Sequence, residues 1–68
     1  MLDTAIQRRL DAMITSCRLY ELPPEQRQLA SILIRNCRAD ITRWPGMADD
    51  IIQDCRMAIE GLREEAEA

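Results

Sequence analysis

Leu29-Ala30-Ser31-Ile32-Leu33-Ile34-Arg35-Asn36-Cys37-Arg38-Ala39-Asp40-Ile41, set between Pro23-Pro24 and Trp44-Pro45-Gly46, decides the fold. Ala30, Ile34, Cys37, Ile41 and Trp44 step 4-3-4-3, which is one face of an α-helix. Leu29, Ile32 and Leu33 widen the apolar surface beyond that stripe. A helix that is apolar on more than one side is either central or touches a partner. Proline lacks an N–H and disfavours helical geometry in the residue before it, so Leu22-Pro23 ends one element. At the first helical position the same ring is favourable, and Glu25 suits the positive end of the dipole. Trp44 precedes Pro45, and Gly46 permits a sharp reversal. The predicted helix therefore runs from about residue 24 to 43.

Working outward, the same spacing recurs on each side. Ile6, Leu10, Met13, Cys17 and Tyr20 predict a first helix over about 3–22, capped by Asp3 or Thr4. Thr4 with Gln7 also fits a capping box. Ala48, Ile52, Cys55, Ile59, Leu62 and Ala66 predict a third over about 47–65. Asp49 and Asp50 fall in its first turn, where the dipole favours them. Gly61 weakens that helix slightly, and the tail from Glu64 to Ala68 is expected to fray. Short connections favour antiparallel neighbours. The expectation is a single all-α domain spanning 1–68. Its three amphipathic helices form either a three-helix bundle or a helical hairpin completed by homodimerisation.

A chain of 68 residues buries only about 60% of the surface its unfolded form exposes, so a monomer is marginal and oligomerisation is a common remedy. With no Phe, Val or His, the core must come from Ile, Leu, Met, Ala and Cys. An enzyme-sized pocket is hard to fit beside such a core, and no catalytic activity or cofactor is expected. All nine basic residues are Arg, against twelve acids. Arg suits protein interfaces through bidentate contacts and stacking. No apolar run approaches the ~20 residues of a membrane span. No basic segment followed by an apolar stretch opens the chain, so a cytoplasmic location with reduced thiols is the default.

Ile-x-x-Cys-Arg occurs three times, at Ile14–Arg18, Ile34–Arg38 and Ile52–Arg56, and includes every cysteine. On a helix, Ile and Cys three apart share a face, while the following Arg turns off it. Zinc needs closely spaced ligands such as Cys-x-x-Cys, and reactive thiolates need a base or a directed cation. With gaps of 20 and 18 residues and no His, the cysteines read as small buried apolar residues. Arg27, Arg35 and Arg38 fall along one side of the second helix and suit an acidic surface. The charge balance disfavours nucleic acid, which usually meets a basic domain. From Pro23 to Gly46 there are four Arg and two acids, and from Met47 to Ala68 seven acids and two Arg. The second and third helices are thus expected to attract each other. Tyr20 and Trp44 sit beside the two proline turns, where each either closes its end of the core or anchors an interface. Met47 extends the Trp44 patch with an adaptable side chain.

In overall build, this tiny, acidic, Arg-only chain with a wide apolar second helix resembles the small helical proteins that phages and mobile elements encode to inhibit host proteins. Quorum-sensing anti-activators are one such group. The resemblance lies in size and helical pattern and implies self-association and sequestration of a host regulator. The expectation is a homodimer that binds a host or cognate protein through Ile32, Leu33, Arg35, Trp44 and Met47. The alternatives are a nucleic-acid-binding regulator using Arg27, Arg35, Arg38 and Arg43, and a structural or chaperone subunit of a larger assembly.

Overall fold

In a computed structural model, which describes residues 2–68, the two proline turns separate three helices. These are α1 (Thr4–Ser16), α2 (Pro24–Arg43) and α3 (Ala48–Glu67). The limits of α2 are those expected. Pro23 is extended (φ −57°, ψ 156°) and Pro24 opens the helix. At the other end the Trp44 N–H donates to the Asp40 carbonyl at 2.8 Å. One 3₁₀ turn, Pro45–Met47, then delivers the chain to α3. The tail expected to fray is helical as far as Glu67.

The first helix differs from expectation. It ends at Ser16, six residues short of Leu22. Arg18 adopts the left-handed conformation (φ 49°, ψ 56°), and a 3₁₀ turn, Leu19–Glu21, follows. One left-handed residue breaks the helical register. Its consequence is that Leu22 enters the core at 2% exposure while Tyr20 swings out to 76%. Tyr20 therefore does not close the end of the core. The cap also differs, because the Ala5 N–H donates to Asp3 Oδ1 at 2.8 Å. With Asp3 as cap, Gln7 lies one residue beyond the capping-box position. Its amide instead donates to Asp11 at 2.8 Å.

The helices run up, down and up as a three-helix bundle of 36 × 17 × 16 Å. Arg9 pairs with Asp49 near one end and Glu21 with Arg63 near the other, so α1 and α3 are parallel. The central element is α3, which packs along both α2 and α1. The extra apolar width of α2 is thus not explained by a central position. Leu10, Met13, Cys17 and Leu22 meet Ala30, Cys37 and Ile41 of α2 and Ala48, Cys55 and Ile59 of α3 in one buried cluster. All three cysteines lie in it with free thiols, while Arg18, Arg38 and Arg56 are exposed. Among the described residues, only Leu10, Ile41 and Ile59 are large side chains buried completely. Each contributes about 1.5–3 kcal/mol by leaving water. Among the described residues, no helix is long and apolar enough to cross a membrane.

Candidate protein-interaction surface

Helical geometry turns successive residues by about 100°. Leu33 therefore sits toward α3, half-buried, while Ile32 and Arg35 point away from the bundle and are exposed. Ile32 stands at 46% exposure. Leu29 is also exposed and falls between Ile32 and Leu33 around the helix. At the far end of α2, Trp44 (49%) and Met47 (54%) share the turn, where the Met47 N–H donates to the Trp44 carbonyl at 3.0 Å. The Arg43 guanidinium lies over the Trp44 ring, 5.2 Å from its centroid. The five predicted residues thus form two groups, one about the middle of α2 and one at the turn. Leu33, half-buried on the α3 side, also lines the groove described next.

A shallow cavity of about 230 Å³ opens between α2 and α3. Its walls are Leu33, Asn36, Cys37 and Asp40 from α2 and Ile51, Asp54, Cys55 and Ala58 from α3. These positions pair as expected for antiparallel helices. The groove lies on the side of the hairpin away from α1, which packs on the side of α3 that carries Asp49, Arg56 and Arg63. The two thiols form its floor. Burial pushes both up, Cys55 to about 12 with the neighbouring Cys37 adding to the effect. They are neutral, apolar groups at ordinary pH. Asp40 and Asp54 stand exposed at the rim.

The expected pairing of α2 with α3 through opposite charges is not formed among the described residues. The three ion pairs are Arg9–Asp49 at 3.3 Å, Arg63–Glu21 at 3.1 Å and Arg56–Glu60 within α3 at 3.5 Å. The cause is angular: Arg35 and Arg38 are exposed away from the seam that holds Leu33 and Asp40 against α3. Arg27 donates instead to the Leu22 carbonyl at 3.0 Å, securing the turn before α2. Among the described residues, no cluster of three or more Cys, Asp, Glu or His has a metal-binding arrangement.

Asp40, Asp54 and Ala58 were not legible as site residues. Each reads alone as a solvated helix position, and only the pairing of α2 with α3 brings them together. Met57, at 60% exposure on the outer face of α3, lies off the apolar stripe of its helix and was not singled out in the sequence. No protein-family model matches the chain, and neither a curated protein nor a solved structure does.

Proposed function

We propose that this chain is a non-enzymatic protein–protein interaction module. It self-associates and binds a partner protein, such as a host transcriptional regulator, whose activity it inhibits. The observation that carries this reading is unsatisfied apolar surface. The chain presents 4885 Å² to solvent, whereas a compact monomer of 7.8 kDa presents about 4,400 Å². Leu29, Ile32, Trp44 and Met47 are among its exposed apolar side chains. A standard interface covers about 800 Å² on each partner, so an excess of about 500 Å² would account for much of one side. Trp and Arg dominate binding hot spots, and the turn places Arg43 on Trp44.

The likeness in build to small inhibitors encoded by phages and mobile elements supports the direction of regulation. A nucleic-acid reading has less support. Of its four Arg, Arg27 is engaged with Leu22 and Arg43 with Trp44, so Arg35 and Arg38 alone extend freely from α2. The test is solution mass by light scattering, with and without reductant, followed by capture of partners from a host lysate. A dimer that survives reductant and a specifically captured protein support the reading. A strict monomer at high micromolar concentration that captures nothing removes it.

A further inference from the structure

We propose that the groove between α2 and α3 is a docking site for a basic amphipathic helix of another protein. The inference rests on the interaction reading above and names the partner's chemistry. Three observations converge on it. First, the floor and most of the walls are apolar: Leu33, Cys37, Ile51, Cys55 and Ala58, with Asn36 beside them, surround about 230 Å³, room for one aliphatic side chain. Ala58 keeps that space open, since a larger side chain there would fill it. Second, the rim carries Asp40 and Asp54, one from each helix, and neither takes part in an ion pair among the described residues. Third, α1 covers only the other side of the hairpin, so two antiparallel helices present a long seam with Leu29 exposed beyond one end of the groove and Met47 beyond the other.

Apolar surface flanked by carboxylates selects its occupant. A helix laid in such a seam presents residues at i, i+3, i+4 and i+7 to the floor. Its flanking positions then meet the two aspartates, where Arg or Lys gains and Asp or Glu is repelled. A second copy of this chain fits poorly. A two-fold contact centred on the groove places the same acidic rim against itself, so Asp40 and Asp54 would meet carboxylates of the other copy. The fixed floor also suits a helix better than an extended peptide, because the hairpin offers no free sheet edge.

The test uses the full chain and a synthetic helical peptide of about 16 residues with a Leu stripe flanked by Arg. Its twin has every Arg replaced by Glu. Binding is followed by calorimetry and by amide chemical shifts. The Arg peptide is expected to bind and to shift the amides of residues 33–40 and 51–58, and the Glu peptide is not. Asp40→Asn with Asp54→Asn is expected to weaken the Arg peptide at least tenfold, and Ala58→Trp to block it. Gln53→Ala, exposed on α3 outside the groove lining, leaves the affinity within twofold. Circular dichroism checks that each variant folds; the substituted groove residues are exposed.

Equal binding of the two peptides, no binding below millimolar concentration, or indifference to the groove variants overturns the proposal. So does a dimer that Ala58→Trp dissociates, since a second copy then fills the groove. If a captured partner is held equally by wild type and groove variants, the groove assignment falls and the interaction reading stands. If nothing is captured and no peptide binds, both fall.

Discussion

Arg63, near the end of α3, is bound to the end of α1 through the backbone of Cys17. Its Nη2 donates to the Cys17 carbonyl, and its Nη1 donates to Glu21 Oε1 at 3.1 Å. The last carbonyls of a helix have no partner inside it. Where α1 stops early, a side chain 46 positions along the chain supplies one. The interaction joins the first and third helices where the chain has just made its left-handed turn.

Arg63→Ala leaves that carbonyl without its donor and removes the packing of the Arg stem. The expected loss is about 1–3 kcal/mol, which for a domain of this size lowers Tm by roughly 4–8 °C per kcal/mol. Arg63→Lys keeps the charge but not the fork and is expected to fall between. Glu21→Gln, which touches only a partly exposed pair, stays within about 1 kcal/mol. Thermal melts of the three variants check the order. If Arg63→Ala melts with wild type, packing alone holds α1 in place.

Two backbone positions should respond to glycine in opposite ways. Arg18 holds a left-handed conformation at φ 49°, a region costing ordinary residues roughly 1–2 kcal/mol. Arg18→Gly relieves that strain and is expected to raise stability by up to about 1 kcal/mol, after the added freedom of the unfolded chain is subtracted. Gly61 lies within α3, and a Cβ there meets nothing within 4 Å. Gly61→Ala is expected to add about 0.5–1 kcal/mol. Denaturant titrations read the two gains. A loss in either case refutes the corresponding local account.

Why these two positions differ also shows what the sequence alone made legible. The spacing of Ala30, Ile34, Cys37 and Ile41, with prolines on each side, determines α2 to the residue, because propensity, periodicity and turn chemistry agree there. The end of α1 was not legible. Cys17 and Tyr20 continue its apolar spacing, and nothing local demands a stop before Pro23. The stop is tertiary: a left-handed Arg18 lets Leu22 reach the core and lets Arg63 cap Cys17. The groove was hidden for a related reason. Leu33 and Cys37 were visible as apolar positions, but Asp40, Asp54 and Ala58 acquire a role only across a helix pair. Ile32 lies outside the stripe that faces the core and is exposed, whereas Trp44, which continues that stripe in the sequence, stands half exposed because the chain turns at Pro45.

A core with only three completely buried large side chains has little reserve. Ile59→Ala removes one of them from the centre of α3 and leaves a cavity among Leu10, Cys17 and Cys55 of the same cluster. Such truncations cost about 2–5 kcal/mol, comparable with the whole stability of a small domain. Loss of cooperative unfolding at room temperature is the expected result, seen as a broad melt by circular dichroism. Ile32→Ala, on the solvent side of α2, should change stability by less than about 0.5 kcal/mol. Equal effects from the two would contradict the packing described.

The buried thiols make stability fall in alkali. Burial pushes all three up, and Cys55 reaches about 12 against an ordinary 9.0. Below pH 9 the folded and unfolded chains hold the same thiol protons, and the stabilisation is fully present. Between pH 9 and 12 the unfolded chain releases its Cys55 proton while the folded chain retains it. Stability is then lost at up to about 1.4 kcal/mol per pH unit for each such thiol. Urea titrations from pH 7 to 10.5 should show the decline, and Cys55→Ala should make it shallower. A flat profile would mean that the thiols ionise in place.

Trp44 separates stability from association. Its ring is half exposed beneath the Arg43 guanidinium, and the backbone of the turn is held without it, by the Trp44 N–H on Asp40 and the Met47 N–H on the Trp44 carbonyl. Trp44→Ala is therefore expected to change folding stability by less than about 1 kcal/mol, an effect typical of surface positions. Truncating an aromatic anchor at an interface costs about 2 kcal/mol or more of binding, a weakening of roughly thirtyfold or more. Met47→Ala, at the same turn, should weaken association to a smaller degree, since a flexible thioether gives up less area and more entropy than an indole. Denaturation midpoints and dissociation constants measured on the same preparations separate the two effects. If Trp44→Ala lowers stability and leaves association intact, the turn is a structural element and the interface lies elsewhere on α2 and α3.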